Sequence, residues 1–277
     1  MKISVIIAIY KDIESLDLIL KSLANQTYRE SFEIIIAEDG NSVEVRDFVS
    51  SLSYKNILHT TQIDNGWQKN RSLNNAIKES SGELLIFLDG DCIPYSNLVE
   101  NYEKNADKKT ILCGRRVDLG DRYSSKLRSS EYDIKDIENS YLRHYFGMYR
   151  DGVRHYEEGI KFNNFLYSLK YKNRSSHILG CNFALNKKDI LDINGFDEDY
   201  ITPSVGEDVD IEYRLTQNGC IMKPTRNLTN VLHLYHKIKY DKESNDISMG
   251  IYNKIREENI IICKNGIIKK DEDDNSC

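Results

Sequence analysis

The stretch Gly82-Glu83-Leu84-Leu85-Ile86-Phe87-Leu88-Asp89-Gly90-Asp91-Cys92-Ile93-Pro94 decides how this chain is read. The run Leu84 to Asp89 is apolar at all but its last position, the mark of a strand covered on both faces in a parallel sheet. It stops at Asp89, Gly90 and Asp91. In open α/β sheets ligands bind beyond the carboxyl ends of the strands, so two carboxylates one residue apart there stand at a ligand mouth. Such a pair suits an oxygen-ligated divalent cation. An Asp-Gly turn leading into a helix near Ser96 is the competing reading, and the flanking sequence decides between the two.

Upstream, Ile3 to Ile9 reads as a strand by its β-branched content, followed by a helix over 13–25 with Leu16, Ile19, Leu20 and Leu23 on one face. Phe32 to Ala37 repeats the buried-strand signal and ends in Glu38, Asp39, Gly40 and Asn41. A helix over 43–52, a strand over 57–61, the Asn65-Gly66 turn and a helix over 67–79 complete an alternation that predicts a doubly wound, mostly parallel sheet. Downstream, a helix over 98–106 and a strand over 110–117 follow. From Leu119 to Ser176 the chain is polar, rich in Tyr and Arg, and without clear period, which predicts mixed helix and loop over the sheet's open edge. Order returns with a strand over 178–185 that holds Gly180, Cys181 and Asn182. A helix opening at Gly206 carries Glu207, Asp208 and Asp210 near its start, where the macrodipole favours acids. Val231 to Tyr235 reads as a last strand beside His233 and His236.

Composition excludes several classes. At 277 residues, 40% hydrophobic and 30% charged, the chain has the make-up of a globular α/β protein with one core. A net charge of −6 leaves no basic footprint for nucleic acid. The longest apolar runs are too short to span a bilayer. Six scattered cysteines without a CxxC spacing are neither a zinc cage nor a disulfide framework, which predicts a reducing, cytoplasmic setting. Many of the 18 tyrosines fall between Tyr123 and Tyr171. Their rings line a groove, touch a membrane surface peripherally, or shield a small core, and the sequence leaves the three open.

Three acidic ends, Asp39, Asp89 with Asp91, and Glu207 with Asp208, together with a late histidine pair form a constellation more specific than any member. On these residues the chain resembles the inverting nucleotide-sugar glycosyltransferases of family 2, which have the GT-A fold, from about residue 3 to 236. The matching motifs are SVIIAIY, AEDGN, NGWQKNRSLNNAI, GELLIFLDGDCIP, GCNFALNKKDILDINGFDEDY and GEDVDIEYRL. The last of these, followed by HLYHK, is similar to the carboxyl-terminal half of galactosyltransferases and N-acetylgalactosaminyltransferases, chondroitin-polymerase-like enzymes included. The resemblance implies a Rossmann-like sheet with an acceptor-side extension. Residues 1–118 form the nucleotide-sugar-binding half, residues 119–262 the acceptor-binding and catalytic half, and residues 263–277 a charged, disordered tail.

The resemblance also implies roles. Asp91 and His236 bind Mn²⁺ or Mg²⁺, His236 ahead of His233 because it stands at the second histidine of the pattern. Asp89 faces the donor ribose, with Gly90 and Asn182 among the donor contacts. Tyr10 stacks on uracil, Asp39 accepts its imide N–H beside Ala8, and Glu38 is the competing acid. Arg71 serves the diphosphate, with Leu73 where a second Arg is common and Asn74 kept. Asp208 is the general base and Glu207 binds a sugar hydroxyl. A divalent cation neutralises the charge on a leaving diphosphate, and Mn²⁺ suits mixed carboxylate, imidazole and phosphate ligands better than Ca²⁺. A helix N-terminus favours an ionised Asp208, although both acids also suit a plain cap. Asp210 and Arg214, four apart, form an intrahelical ion pair. In place of the family's aromatic before the Glu-Asp pair stand Pro203, Ser204, Val205 and Gly206.

The function expected is transfer of galactose or N-acetylgalactosamine from a UDP donor to a lipid-linked oligosaccharide bound for a capsule or O-antigen. A UDP-glucose or UDP-N-acetylglucosamine donor is the nearest alternative. A sugar-phosphate nucleotidyltransferase wants a Gly-rich phosphate loop after the first strand, where this chain has Tyr10, Lys11 and Asp12. An inactive nucleotide-sugar-binding scaffold is the third reading.

Overall fold

The computed structural model describes residues 1–171, 174–203, 206–237 and 242–269. Its first apolar runs are strands β1 (Ile3–Ile9), β2 (Glu33–Glu38), β3 (Ile57–Thr60) and β4 (Leu84–Asp89). Their side chains alternate between two cores. Val5, Ile7, Ile34, Ile36, Ile86 and Leu88 enter one; Ile6, Ile35, Leu85 and Phe87 enter the other. Strands buried on both faces show no polar side, which is why these runs read as continuous apolar sequence. Helices α1 (Ile13–Leu23) and α2 (Val43–Ser51) cover the first core, while α3 (Lys69–Glu79) covers the second through Leu73, Ala76 and Ile77. Asp12 caps α1 by accepting the Ser15 N–H at 3.0 Å, and Ser42 caps α2 through Val45 N–H.

Further strands are β5 (Cys92–Pro94), β6 (Thr110–Cys113), β7 (Arg115–Asp118), β8 (Asn182–Asn186), β9 (Ile221–Pro224) and β10 (Asn230–His233). Seven of the strands form one sheet in the order β3-β2-β1-β4-β8-β6-β9, and β5-β10-β7 form a second. In the large sheet only β8 runs against its neighbours. Strand order reverses direction between β1 and β4, so the crevice at their carboxyl ends is the topological switch point where such sheets bind ligands. Ala8 of β1 pairs there with Asp89 of β4.

The strand expected over 110–117 is broken. At Gly114 an added Cβ would lie 2.4 Å from Asn182 Nδ2 and 2.6 Å from the Tyr102 hydroxyl, and the chain leaves the large sheet there to enter the small one. The strand expected from Ile178 begins at Asn182, because a turn closed by Asn182 N–H on Leu179 O precedes it at 2.9 Å. The last strand stops at His233, so His236 stands on the irregular segment beyond it.

The aperiodic stretch contains helices: α4 (Leu98–Asn105) precedes it, and α5 (Asp121–Arg128), α6 (Ile134–Asn139), α7 (Tyr141–Arg150) and α8 (Asn164–Tyr171) lie within it. It leans on α1 and the small sheet. Arg128 pairs with Asp12, Glu138 accepts from Ser96, and Asp118 exchanges backbone bonds with Arg154. Contact with the edge strand β9 comes through α8, where the Tyr167 hydroxyl donates to Pro224 O.

Downstream are α9 (Lys187–Asp192), α10 (Gly206–Gln217) and α11 (Lys242–Glu257). The tail expected from residue 263 starts later. Cys263 is fully buried, and Asn194 Nδ2 donates to both Cys263 O and Ile268 O, pinning the segment to the Asn194-Gly195 turn. The rest of that tail, 270–277, lies outside the described residues, as do Ser204 and Val205. Arg214 holds the same turn from the other side. Its guanidinium is fully buried, bonds Asp210 Oδ2 at 2.9 and 2.7 Å, and donates to Ile193 O and Gly195 O. Removing one partner of a buried pair strands the other charge. Arg214→Leu is therefore expected to cost about 3–5 kcal/mol in urea unfolding, whereas replacing both Asp210 and Arg214 by Leu costs clearly less.

Candidate functional site

The small sheet assembles one half of the site by register. In β10, His233 lies opposite Cys92 of β5 and opposite Asp118 of β7. Just past the strand, Leu234 N–H donates to Asp91 O at 2.9 Å, bringing the turn after β4 against the chain that carries His236. The result is a triangle of ligand atoms: Asp91 Oδ2 to His233 Nε2, Asp91 Oδ2 to His236 Nε2, and the two Nε2 atoms to one another, each 3.3 Å. The centre of that triangle is about 1.9 Å from every corner, close to the ~2.1 Å of divalent metal–ligand bonds.

The far nitrogens of both rings are spoken for. His233 Nδ1 faces Asp118 Oδ1 at 3.3 Å and His236 Nδ1 faces Lys237 O at 3.0 Å. With Nδ1 held by an acceptor, each ring aims Nε2 at the centre of the triangle, the atom that would ligate an ion once its proton is lost. Hydrogen bonds to Asp118 and Asp91 outweigh burial and raise His233 to about 10, while the two rings hold the Asp91 carboxyl far below its usual range despite burial. One carboxylate and two imidazoles converging on one point make a donor set that fits a divalent ion. The Cys92 thiol is close by, but burial above all raises its pKa well above normal and keeps it protonated, a poor ligand for a hard cation.

The sequence reading placed His236 ahead of His233; the geometry gives them equal distances to Asp91. Strand register carries that information, and one sequence does not display it. Asp118 was not among the expected residues, and neither was Lys69. That lysine opens α3, and its Nζ lies 2.7 Å from Asp89 Oδ1. Asp89, Glu207 and Asp208 together raise its pKa against the opposing effect of burial.

Asp208 is aimed by the turn before β8. Its Oδ2 accepts Gly180 N–H at 3.0 Å, while the neighbouring Cys181 O accepts from Asp89 N at 3.3 Å. A Cβ on Gly180 would come 2.1 Å from Asp208 Oδ1. Burial raises the pKa of Asp208 and lifts Glu207 to about 8; Lys69 opposes both shifts, and the neighbouring carboxylates add to them. Glu207 Oε2 is buried with no hydrogen-bond partner among the described residues.

At the nucleotide end, Tyr10 is half exposed beside Lys11 and Asp64, with the Lys11 ammonium 4.6 Å from its ring centre. Asp39 is buried, its oxygens held at 2.7 Å by Gln62 Nε2 and by Gln68 N–H. Glu38 is engaged inside the fold by Ser42 N–H and His59. Gly90 packs against β1, where a Cβ would lie 2.7 Å from Ala8 O. Arg71 is exposed and lines a cavity of about 510 Å³ with Gln68, Tyr200 and Lys269. Asn182 is placed differently from the donor contact expected. Fully buried, it accepts from the Tyr102 hydroxyl and spends both amide hydrogens on Arg115 O and Thr229 O, tying the two sheets together.

A doubly wound sheet with acids at the switch point and a carboxylate–imidazole cluster beside them is an α/β fold with a polar ligand mouth at its strand ends. The glycosyl transferase family 2 model matches residues 4–192, and a model described as the N-terminal domain of galactosyltransferase matches 161–237. The chain belongs to glycosyltransferase family 2, and its fold is GT-A. It is 24% identical to a chondroitin synthase of Pasteurella multocida over 80% of this chain, spanning only 23% of that enzyme's length. It is 26% identical to the uncharacterized glycosyltransferase YfnE of Bacillus subtilis over 96% of this chain and 74% of the relative. The crystal structure of GalNAc-T7 with UDP, GalNAc and Mn²⁺ superposes with a TM-score of 0.58 at 16% identity, covering 85% of this chain and 43% of that one.

If Asp118 orients His233 toward an ion, Asp118→Asn lowers Mn²⁺ affinity about 10–100-fold in calorimetric titration while the thermal midpoint of the metal-free protein stays within a few degrees. An unchanged affinity would remove Asp118 from the site.

Proposed function

We propose that this protein is an inverting, metal-dependent glycosyltransferase that moves galactose or N-acetylgalactosamine from a UDP donor to a glycan acceptor. The observation that carries the reading is the convergence of Asp91, His233 and His236 beside the Asp89–Lys69 pair at the switch point. A divalent cation held by those three side chains, Mn²⁺ better than Mg²⁺ given two imidazoles, supplies Lewis-acid neutralisation of the departing diphosphate. Tyr10, Asp39 and Arg71 serve the nucleotide, and Asp89 the ribose. Asp208 takes the proton of the acceptor hydroxyl as that oxygen attacks the anomeric carbon, and the electron pair of the breaking C–O bond leaves on the diphosphate. Glu207 hydrogen-bonds a sugar hydroxyl with its unpartnered oxygen. Lys69 supplies the positive charge that lets three carboxylates share this space.

The donor choice is supported by the galactosyltransferase-type match at 161–237 and by the chondroitin synthase relative. The acceptor we propose is a growing, lipid-linked glycan of a bacterial capsule or O-antigen, reached from the cytoplasmic side, with residues 119–176 framing the acceptor. Among the described residues no helix is long and apolar enough to cross a membrane.

The test is UDP release from a panel of UDP-sugars with Mn²⁺, with and without oligosaccharide acceptors. UDP-galactose or UDP-N-acetylgalactosamine is expected to turn over, with Asp208→Asn slower by at least about 10²-fold. Turnover of UDP-glucose or UDP-N-acetylglucosamine instead corrects the donor, and binding without turnover leaves a scaffold. Gly180→Ala should lower kcat by a similar factor with the circular dichroism spectrum kept, because the added methyl displaces the Asp208 carboxylate.

The base works only when ionised. With the Glu207–Asp208 pair raised above ordinary carboxylates, protons are held to higher pH, so kcat/KM should climb with pH through the neutral range. Glu207→Gln removes one negative charge and moves that limb toward acid; a wild-type limb near pH ~4 would contradict the assignment.

A further inference from the structure

Two helices of the inserted stretch turn apolar faces to water. On α7, Leu142, Phe146 and Tyr149 follow helical spacing on one stripe and are 69%, 78% and 70% exposed, while Tyr141 and Met148 of the same helix are buried. On α8, Phe165, Leu166 and Leu169 are 69%, 46% and 70% exposed. The opposite side of α8 faces inward through Tyr167, which bonds Pro224 O, and Tyr171, which bonds Asn227. Scattered apolar residues on a surface are ordinary, but side chains this large, grouped on one face of each of two successive α-helices of the insertion, are what water-exposed helices avoid.

The stretch that carries them is net positive, although Asp136 and the exposed Glu157 lie near α7. Residues 141–174 hold seven Lys and Arg against three Asp and Glu, a local +4 in a chain of net −6. Two of those three acids are used internally. Asp151 accepts the N–H groups of Arg122 and Tyr123, and Glu158 is buried against Arg226. By contrast Arg143, Arg150, Lys170 and Arg174 are exposed and pair with no described acidic side chain. In helical projection Arg143 and Arg150 flank the α7 stripe on the side away from its buried face.

We propose that α7 and α8 dock the protein on an anionic lipid surface, the apolar stripes entering the headgroup boundary and the arginines meeting lipid phosphates. Apolar face plus basic rim is the chemistry of interfacial helices. A second copy of this chain fits less well, because a two-fold contact through this face would set the same unpaired basic rim against itself. The surface lies outside the donor site, so the inference stands apart from the choice of sugar.

The experiment is co-sedimentation of the full chain with vesicles of equimolar phosphatidylcholine and phosphatidylglycerol, compared with phosphatidylcholine alone. Wild type is expected to pellet with the anionic vesicles only and to be released by high salt. The variants Leu142→Ser with Phe146→Ser, and Arg143→Glu with Arg150→Glu, should each lower the partition coefficient at least tenfold, with thermal midpoints unchanged. Wild type that stays in the supernatant, variants that pellet like wild type, or light scattering showing a dimer that the same substitutions dissociate would each overturn the proposal. Wild type that fails to pellet yet releases UDP from UDP-sugars removes the docking surface and leaves the glycosyl-transfer reading standing.

Discussion

The hydrogen bond from Leu234 N–H to Asp91 O, together with the register of β10 between β5 and β7, is the constraint on which the site depends. A strand paired on both sides does not slip by one residue without turning every side chain to the wrong face. Val231 and Leu232 are fully buried, so such a slip would cost core as well as pairing. By holding that register, hydrophobic packing far from any ligand sets the 3.3 Å spacing of three polar atoms.

Charge is the second constraint. Asp89, Asp91, Glu207 and Asp208 crowd the carboxyl end of β4, and no fold concentrates carboxylates there without compensation. Lys69 from α3 answers Asp89, and the two imidazoles answer Asp91. Glu207 is answered by Lys69 only in part: burial, with the neighbouring carboxylates, outweighs that charge and raises its pKa. Compensation is therefore supplied by elements far apart in the chain, which ties the first half of the sheet to the last strand and to α10.

The inserted helices and the C-terminal segment show the same economy of anchoring. Where side chains face the protein they are bonded, as with Tyr167, Tyr171 and Asn227, or buried, as with Cys263. Where α7 and α8 face outward they are apolar and basic. That contrast marks the outward face as something other than leftover surface.

Much of this was legible from residues in order. The strands β1, β2 and β4, the helices between them and the acids at the strand ends follow from local patterning, because a doubly covered strand must be apolar throughout and a ligand mouth must carry polar side chains. Asp91, His236 and Asp208 stand out in the sequence as motif positions, and the structure brings Asp91 and His236 within 3.3 Å of each other. What the chain in one dimension did not display is pairing across it: His233 as an equal of His236, Asp118 behind it, Lys69 among the acids, Asn182 turned inward, and the break at Gly114. Each depends on which segments lie side by side, and distance along the sequence carries no record of register. Hydrophobic patterning determined which elements exist; contact between strands more than a hundred residues apart decided which polar atoms meet.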